Sequence, residues 1–501
     1  MVKCAFALLL ACPALAGYDP LYTELNVIPR PKEIREDGGY FTVRAAEIDA
    51  RLARFVRDGA VPSEGYRLSV SSNGIVVAHS DEAGAFYAVE TLKQLGARCG
   101  DVVAFPCCEI NDRPAFRWRG VQIDDCRHFF GKETVKLTLD LMAMHKLNVL
   151  HWHLTDDQGW RIDVPGMPEL VAYGAVRPRS PRHGVRISAK NAADPSVYTE
   201  ERYGPYFYTR EDLREIVAYA RARHVRVVPE IDVPGHLRAA LAAHPEYSCI
   251  GEKLPREPMC GWGVSKDVLC VGNDEALRFV ERVLDYVCEV FDSPYVHIGG
   301  DECPVDRWKE CPKCQERMKA LGLKRERDLQ GFVTKRLADY LAKKGRRIIG
   351  WGEMLDAETP DKAVIMSWRG NAAELEAVRR GNEAILAAGC YFDCSQSLME
   401  DVFQYFGGDI PLENVFAVDP LKDVPEDCRG KVLGAECCNW SEYTWNVWDL
   451  TWKMWPRTAA LAEALWTRPE SISNGRWHFL RRLAVHRKRL LKMGVNCAPL
   501  K

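Results

Sequence analysis

The sequence predicts an α/β protein, a TIM-type (β/α)8 barrel preceded by a small α+β domain. Two observations lead to this fold class. From residue 119 onward, short apolar runs alternate with segments of helical period, and eight of these runs have the length of buried strands. Before them, a hairpin pattern is followed by one helix. A doubly wound open sheet is the alternative, but no GxGxxG turn follows a strand.

Residues 17–113 are predicted to form the separate small domain. The runs 65–70 and 74–78 are strand-like and are joined through an Asn-Gly pair, a strong hairpin signal. Residues 83–95 follow with apolar side chains at helical spacing. The sequence at 111–114, Asn-Asp-Arg-Pro, is typical of a junction.

The catalytic barrel is predicted to occupy residues 114–501. Its expected strands are 120–124, 149–154, 225–231, 295–298, 347–351, 364–368, 383–388 and 431–435. The expected helices include 134–146, 209–222, 274–290, 328–343 and 371–380. The segment 159–208, rich in Pro, Arg and Gly, is predicted to be a long loop on the active rim.

Residues 1–16 have the character of a signal peptide. One lysine precedes a short apolar core, and an Ala-Leu-Ala sequence ends at Ala16, so we expect export with cleavage after that residue, to the periplasm or the extracellular space. Lipoprotein anchoring at Cys12 is a weaker alternative. No later apolar run is long enough to span a bilayer, so the mature chain should lack an integral membrane segment.

Net charge limits the classes of ligand, and the cysteines raise the question of disulfides and metal sites. The 501-residue chain has a formal net charge of −2, which gives no electrostatic footprint for nucleic acid and favours a weakly charged substrate. Among 19 cysteines, Cys249, Cys260 and Cys270 share one loop-like stretch and could form a local disulfide. Cys311 and Cys314 form a CxxC for which we expect a structural role rather than a metal, because no second pair stands at zinc spacing.

The acidic pair Asp301-Glu302 is the strongest single indication of function. It follows a short apolar strand and two glycines, which would place both carboxylates at the rim of the barrel, where such enzymes keep their chemistry. The alternative is an N-cap for the next helix. Adjacent residues cannot easily flank one bond from both sides, so in a glycosidase one would be the acid and the other would assist a different nucleophile.

The other predicted strand ends also carry carboxylates or indoles. Such a mouth offers hydrogen-bond acceptors for hydroxyls and flat apolar walls for pyranose rings. The residues concerned are Asp124, Asp125, Asp156, Asp157, Glu230, Asp232, Trp351, Glu353, Trp368, Tyr391, Asp393, Glu436, Trp440 and Glu442.

Five segments in order make the chain similar to the family 20 glycoside hydrolases, the exo-acting β-N-acetylhexosaminidases. They are Trp118 to Gly120, His151 to Arg161, Pro229 to His236, His297 to Glu302 and Trp455 to Arg457. The resemblance runs from about Asn26 to the C-terminus. It implies a retaining, substrate-assisted mechanism in which the 2-acetamido oxygen attacks the anomeric carbon and forms an oxazolinium intermediate.

The resemblance also implies individual roles. Glu302 would be the acid/base, with a pKa above its ordinary value of about 4.3, and Asp301 would stay ionised and orient the acetamido group. Arg119 would hold ring hydroxyls, with a strand-end ion pair as the alternative. The remaining expected substrate-site residues are Trp351, Trp368 and Trp440 around the acetamido methyl, Tyr391 on its carbonyl, Asp393 and Glu442 on ring hydroxyls, and Asp156 and His236 behind the acid.

The resemblance therefore predicts an enzyme that removes terminal β-linked GlcNAc, and GalNAc as a second substrate, from glycans without a metal or organic cofactor. A linkage specialist on the same scaffold, such as a lacto-N-biosidase or chitobiase, is one alternative. A catalytically silent carbohydrate-binding protein is another, although a pure binder needs no acid. We expect Asp157 and Asp232 to support the rim and assign no role to His151 or His153.

Overall fold

The computed structural model describes residues 25–48, 52–396, 408–468 and 475–500. The predicted signal peptide, with Cys12 and Ala16, lies outside the described residues. Within the described residues, no helix combines the length and the apolar character needed to cross a membrane.

The N-terminal domain is one sheet with a helix packed on it. The sheet has the order β1-β6-β3-β4-β2, and β5 pairs with β6. The predicted hairpin is present, because β3 and β4 are antiparallel with Ser71 opposite Gly74. The elements are β1 Glu33–Arg44, β2 Ala53–Arg57, β3 Tyr66–Ser71, β4 Gly74–His79, α1 Glu82–Leu95, β5 Ala97–Cys99 and β6 Val102–Asp112.

Eight parallel strands close into the predicted barrel, in the order β11-β12-β13-β14-β15-β16-β7-β8. Each coincides with a predicted strand to within a few residues at either end. They are β7 Trp118–Asp124, β8 Val149–His153, β11 Arg226–Glu230, β12 Tyr295–His297, β13 Arg347–Trp351, β14 Val364–Ser367, β15 Glu383–Leu386 and β16 Val432–Asn439. The short strands β9 Thr155–Asp156 and β10 Gly159–Trp160 form a hairpin above β8.

Helices surround the barrel, and the five predicted from periodicity are all present. Their apolar faces pack on the strands in one large core. The helices are α2 Lys132–Met144, α3 Arg210–Arg221, α4 Arg238–Ala243, α5 Asp274–Val290, α6 Asp306–Glu310, α7 Pro312–Leu321, α8 Glu326–Ala342, α9 Asn371–Arg380, α10 Leu412–Phe416, α11 Val447–Met454, α12 Arg457–Trp466 and α13 Gly475–Lys492.

A buried ion pair joins the small domain to the barrel. Nζ of Lys146, which follows α2, lies 2.9 Å from Oδ2 of Asp112 at the end of β6, and neither side chain is exposed. Tyr66 and Trp466 also donate hydrogen bonds to the Asp112 carboxylate, at 2.6 and 2.8 Å. Because each charge has its partner on the other domain, the two domains bury this polar cluster only when they are joined.

Candidate active site

The two glycines after β12 turn the chain so that Asp301 and Glu302 reach the barrel mouth. Gly299 and Gly300 have φ of 63° and 92°, a region that glycine adopts at little cost. A Cβ on Gly299 would lie 1.9 Å from Oδ1 of Asp232, so no side chain fits there. Helix α6 begins at Asp306 with Val305 at its N-cap, so the acidic pair does not cap it.

Asp301 is the more buried of the two acids, with 14% of its side chain exposed. Burial raises its pKa to about 6, although the charge of His236 acts in the opposite direction. Its Oδ1 has no hydrogen-bond partner among the described residues. A buried acceptor without a partner is costly, so this oxygen is suited to a donor that arrives with a ligand.

Glu302 is 40% exposed, and its pKa lies below the ordinary value. The main cause is His236, whose Nε2 lies 3.7 Å from Oε2 of Glu302. The expectation that Glu302 has a raised pKa is therefore wrong for the ligand-free protein. The imidazole of His236 favours the ionised form of Glu302 more strongly than partial burial disfavours it.

His236 connects the acidic pair to two aspartates below it. Its Nδ1 lies 3.2 Å from Asp156 and 3.3 Å from Asp157, and its Nε2 lies 3.7 Å from Asp301 and from Glu302. These carboxylates raise its pKa despite burial, so the imidazolium form is favoured. The predicted placement of Asp156 and His236 behind the acid agrees with this geometry.

Asp157 and Asp232 hold the surrounding backbone. Asp157 accepts hydrogen bonds from the amides of Arg238 and Ser265, and Asp232 accepts one from Gly300 at 3.0 Å. These contacts are the rim-supporting ones that we expected of both residues.

The four predicted aromatic residues form one wall of the site. Trp351 is fully buried and donates to Glu230, while Trp368 is half-buried, stacks on Tyr391 with ring centres 6.1 Å apart, and donates to Glu353. Trp440 bridges the two groups, with its ring 5.8 Å from that of Trp351 and 6.2 Å from that of Tyr391. The wall offers apolar faces to a methyl group or a sugar ring.

Asp393, which is half-buried, and Glu442, which is buried, have carboxyl groups with raised pKa values. Burial is the main cause for both and brings the pKa to about 6 for Asp393 and about 7 for Glu442. Each keeps one oxygen without a hydrogen-bond partner among the described residues, Oδ1 of Asp393 and Oε2 of Glu442. Both can therefore accept hydrogen bonds from hydroxyl groups of a ligand.

Arg119 does not lie at this site, which corrects the expected sugar-binding role. It lies near the start of β7, at the opposite end of the strand from Asp124, and its guanidinium donates to Glu64, Tyr87 and the backbone oxygens of Phe116 and Lys146. Arg119 instead forms an ion pair with Glu64 at the strand end, which was the alternative expectation.

Arg127, which the sequence reasoning missed, occupies the mouth instead. Its guanidinium lies 3.1 Å from Asp124, 2.9 Å from Asp156 and 3.9 Å from Glu442, and it covers the Trp440 ring. An available signal was its position just beyond the carboxyl end of the first barrel strand, where a basic residue follows Asp124 and Asp125. Strand-end loops supply the functional side chains of such barrels.

A chain of buried acids and imidazoles continues from the mouth into the barrel. His153 lies between Asp156 and Glu230, and Glu230 also contacts His151 at 3.1 Å and His297 at 2.9 Å. The sequence analysis assigned no role to His151 or His153. Their positions on one face of the same strand were the indication that both side chains could join this network. The network fixes Asp156 from below and thereby positions His236.

The comparisons with known proteins agree with this site. The family model described as glycosyl hydrolase family 20, catalytic domain, matches residues 116–469, and the model of the family's domain 2 matches residues 44–113. The chain belongs to glycosyl hydrolase family 20. Family 20 is the family whose motifs the sequence resembles, so that prediction is confirmed, as is the barrel with its preceding domain.

Relatives within family 20 include bacterial β-hexosaminidases. The chain is 40% identical over 427 residues to the β-hexosaminidase of Porphyromonas gingivalis, which covers 82% of this chain and 52% of that protein. It is 31% identical over 482 residues to the β-hexosaminidase of Akkermansia muciniphila, and this match covers 94% of this chain and 91% of that protein. The chain thus spans about half the length of the Porphyromonas protein.

A solved family 20 structure superposes well on the chain. The exo β-N-acetylglucosaminidase of Vibrio harveyi, in complex with N-acetylglucosamine, gives a TM-score of 0.83 at 30% identity and covers 95% of this chain and 78% of that one.

Proposed function

We propose that this glycoside hydrolase is an exo-acting β-N-acetylhexosaminidase that removes terminal β-linked GlcNAc, and GalNAc as a second substrate, with retention of configuration. The observation that carries the proposal is the pairing of a buried Asp301, with an unpartnered oxygen, and an exposed Glu302 beside a wall of indoles. The β-hexosaminidase relatives support the same substrate class.

In the first step the substrate supplies its own nucleophile. The carbonyl oxygen of the 2-acetamido group forms a bond to the anomeric carbon while the bond to the leaving oxygen breaks, and Glu302 gives its proton to that oxygen. Asp301 accepts a hydrogen bond from the acetamido N–H and balances the positive charge that develops on the group. The indole wall encloses the acetamido methyl.

In the second step water opens the oxazolinium ring. Glu302, now a carboxylate, takes a proton from water as the oxygen of that water bonds to the anomeric carbon. The bond between the acetamido oxygen and the anomeric carbon breaks, which releases the β-anomer and restores the protonated Glu302. His236 acts as a positioning residue, because it lies within 3.7 Å of both acids.

Substitution at the pair tests the roles. We expect Glu302→Gln to lower kcat/KM for a GlcNAc disaccharide by about 10² to 10⁴-fold, and less for the 4-nitrophenyl glycoside, whose leaving group needs little protonation. Asp301→Asn should lower both rates, because the acetamide loses the charge that orients it. Glu358→Gln, on an exposed surface pair, is the matched control and should leave both rates unchanged.

A thiazoline analogue of the oxazolinium ion tests the nucleophile. We expect it to inhibit competitively in the wild type and to lose potency in Asp301→Asn. Isolation of a glycosyl ester on the polypeptide would exclude the mechanism, and tight sugar binding without turnover would indicate a carbohydrate-binding protein.

A further inference from the structure

Four cysteines from two separate segments meet beside the catalytic loops. Cys249 and Cys270 come from the loop that precedes α5, and Cys311 and Cys314 come from the start of α7. Their sulfurs all lie within 4.8 Å of one another. Cys260 is outside the group, so the expected local disulfide among Cys249, Cys260 and Cys270 does not describe this arrangement.

Three of the six distances between the sulfurs match those of a tetrahedron around a metal ion. The contacts are 3.8 Å between Cys249 and Cys314, 3.7 Å between Cys270 and Cys311, and 3.8 Å between Cys270 and Cys314. Zinc bound by four thiolates at about 2.3 Å places the sulfurs about 3.8 Å apart. A disulfide requires about 2.05 Å, so bridging any of these pairs would need the cysteines to move together.

The two segments that carry the sulfurs pack tightly against each other. A Cβ on Gly272 would lie 2.2 Å from the carbonyl carbon of Lys313, so the segments approach as closely as glycine allows. Cys311 lies at the N-cap of α7, where the helix dipole favours negative charge.

We propose that Cys249, Cys270, Cys311 and Cys314 bind one structural Zn²⁺ ion. Four Zn–S bonds form, the thiol protons are released to solvent, and no electron is transferred. Zinc is the ion expected for a closed, tetrahedral set of four sulfurs without an open position. The proposal departs from the sequence-based expectation of no metal, in which the spacing of Cys249 and Cys270 gave no indication of a second cysteine pair.

The ion would tie the loops that carry the catalytic groups. Trp308 of α6 donates to the backbone oxygen of Leu269 at 2.9 Å, and the amide of Leu269 donates to Pro234 at 3.0 Å. Leu269, which directly precedes Cys270, thus contacts both the loop of His236 and the helix that follows Asp301 and Glu302.

The test is the zinc content of the full chain, purified without a metal-affinity column and measured by mass spectrometry. We expect about one zinc per chain in the wild type and at least a tenfold lower content in Cys314→Ser and Cys249→Ser. Cys260→Ser, in the same loop, is the matched control and should keep its zinc. A mercurial reagent should release the wild-type zinc to a metal-sensitive dye, which decides the question even where a variant does not fold.

Three results would overturn the proposal. One is wild-type protein without zinc, in which these four thiols are absent from a thiol titration under denaturing conditions, because that indicates two disulfides. Another is stoichiometric iron with the visible absorption of an iron–sulfur site. The third is full zinc retention in both Cys249→Ser and Cys314→Ser.

Discussion

Two arginines on the first barrel strand and its loop have different tasks. Arg127 lies among Asp124, Asp156 and Glu442 at the mouth, whereas Arg119 is buried at the base against Glu64. Both guanidinium groups are buried and paired, but only Arg127 lies at the carboxyl end of the barrel, beside the carboxylates of the candidate site, where it can donate to vicinal hydroxyls of a ligand.

We therefore expect Arg127→Ala to lower kcat/KM for the 4-nitrophenyl β-GlcNAc substrate by about 100-fold or more, since charge-assisted bonds to substrate are lost. Arg119→Ala should lower the unfolding temperature and change kcat/KM of the folded protein less than threefold. Equal losses of kcat/KM in the two variants would contradict this division.

The proposed mechanism makes the pH dependence of the free enzyme a property of the acidic pair. In that mechanism, turnover requires one proton on the pair, located on Glu302, with Asp301 ionised. The second proton binds below the lowered pKa of Glu302, and the last proton leaves above the pKa of Asp301, about 6. Both changes remove the active form, because its two carboxyl groups must hold one proton in total.

We expect a bell-shaped profile of kcat/KM with its maximum between these two values. On the alkaline side kcat/KM should fall about tenfold for each pH unit above about 6. Steady-state rates at low substrate concentration, from about pH 2 to about pH 8, measure both limbs. A flat profile above pH 6 would show that Asp301 does not govern the alkaline limb.

At the scale of the elements, the strands and the acidic pair were predictable because their signals are local. Residues 295–298 form a short, mainly apolar run, which indicates a buried strand. The two glycines after it adopt positive φ, a conformation that favours glycine, so their residue type itself indicates a turn. The helix at 274–290 has an apolar face of regular period and was predicted with its observed bounds.

Other features depend on contacts between distant segments, which spacing does not encode. The pKa of Glu302 is lowered by His236, a residue from the loop after a different strand. The direction of Arg127 is set by Asp124 and Asp156 together. The sulfurs of Cys249 and Cys314 meet only when two loops fold against each other.

At the scale of the whole molecule, stability depends on the ion pair between the domains. Removal of Lys146 leaves Asp112 buried without its charged partner, and breaking a buried pair in this way costs about 3 to 5 kcal/mol. We expect Lys146→Met to lower the free energy of unfolding by about 3 kcal/mol in denaturant titrations.

Lys335→Met, which removes an exposed pair with Glu358, is the matched control and should leave that free energy nearly unchanged. A loss below about 1 kcal/mol for Lys146→Met would mean that Tyr66 and Trp466 compensate for the missing charge at Asp112.

The first barrel strand, β7, carries the interdomain contact of Arg119 near its start and the Asp124 that holds Arg127 at its end. Substitutions in the rim loops can therefore change the surroundings of Arg127 without touching the joint to the small domain. Those loops are accordingly the place to begin directed evolution of specificity, with the base of the barrel left unaltered.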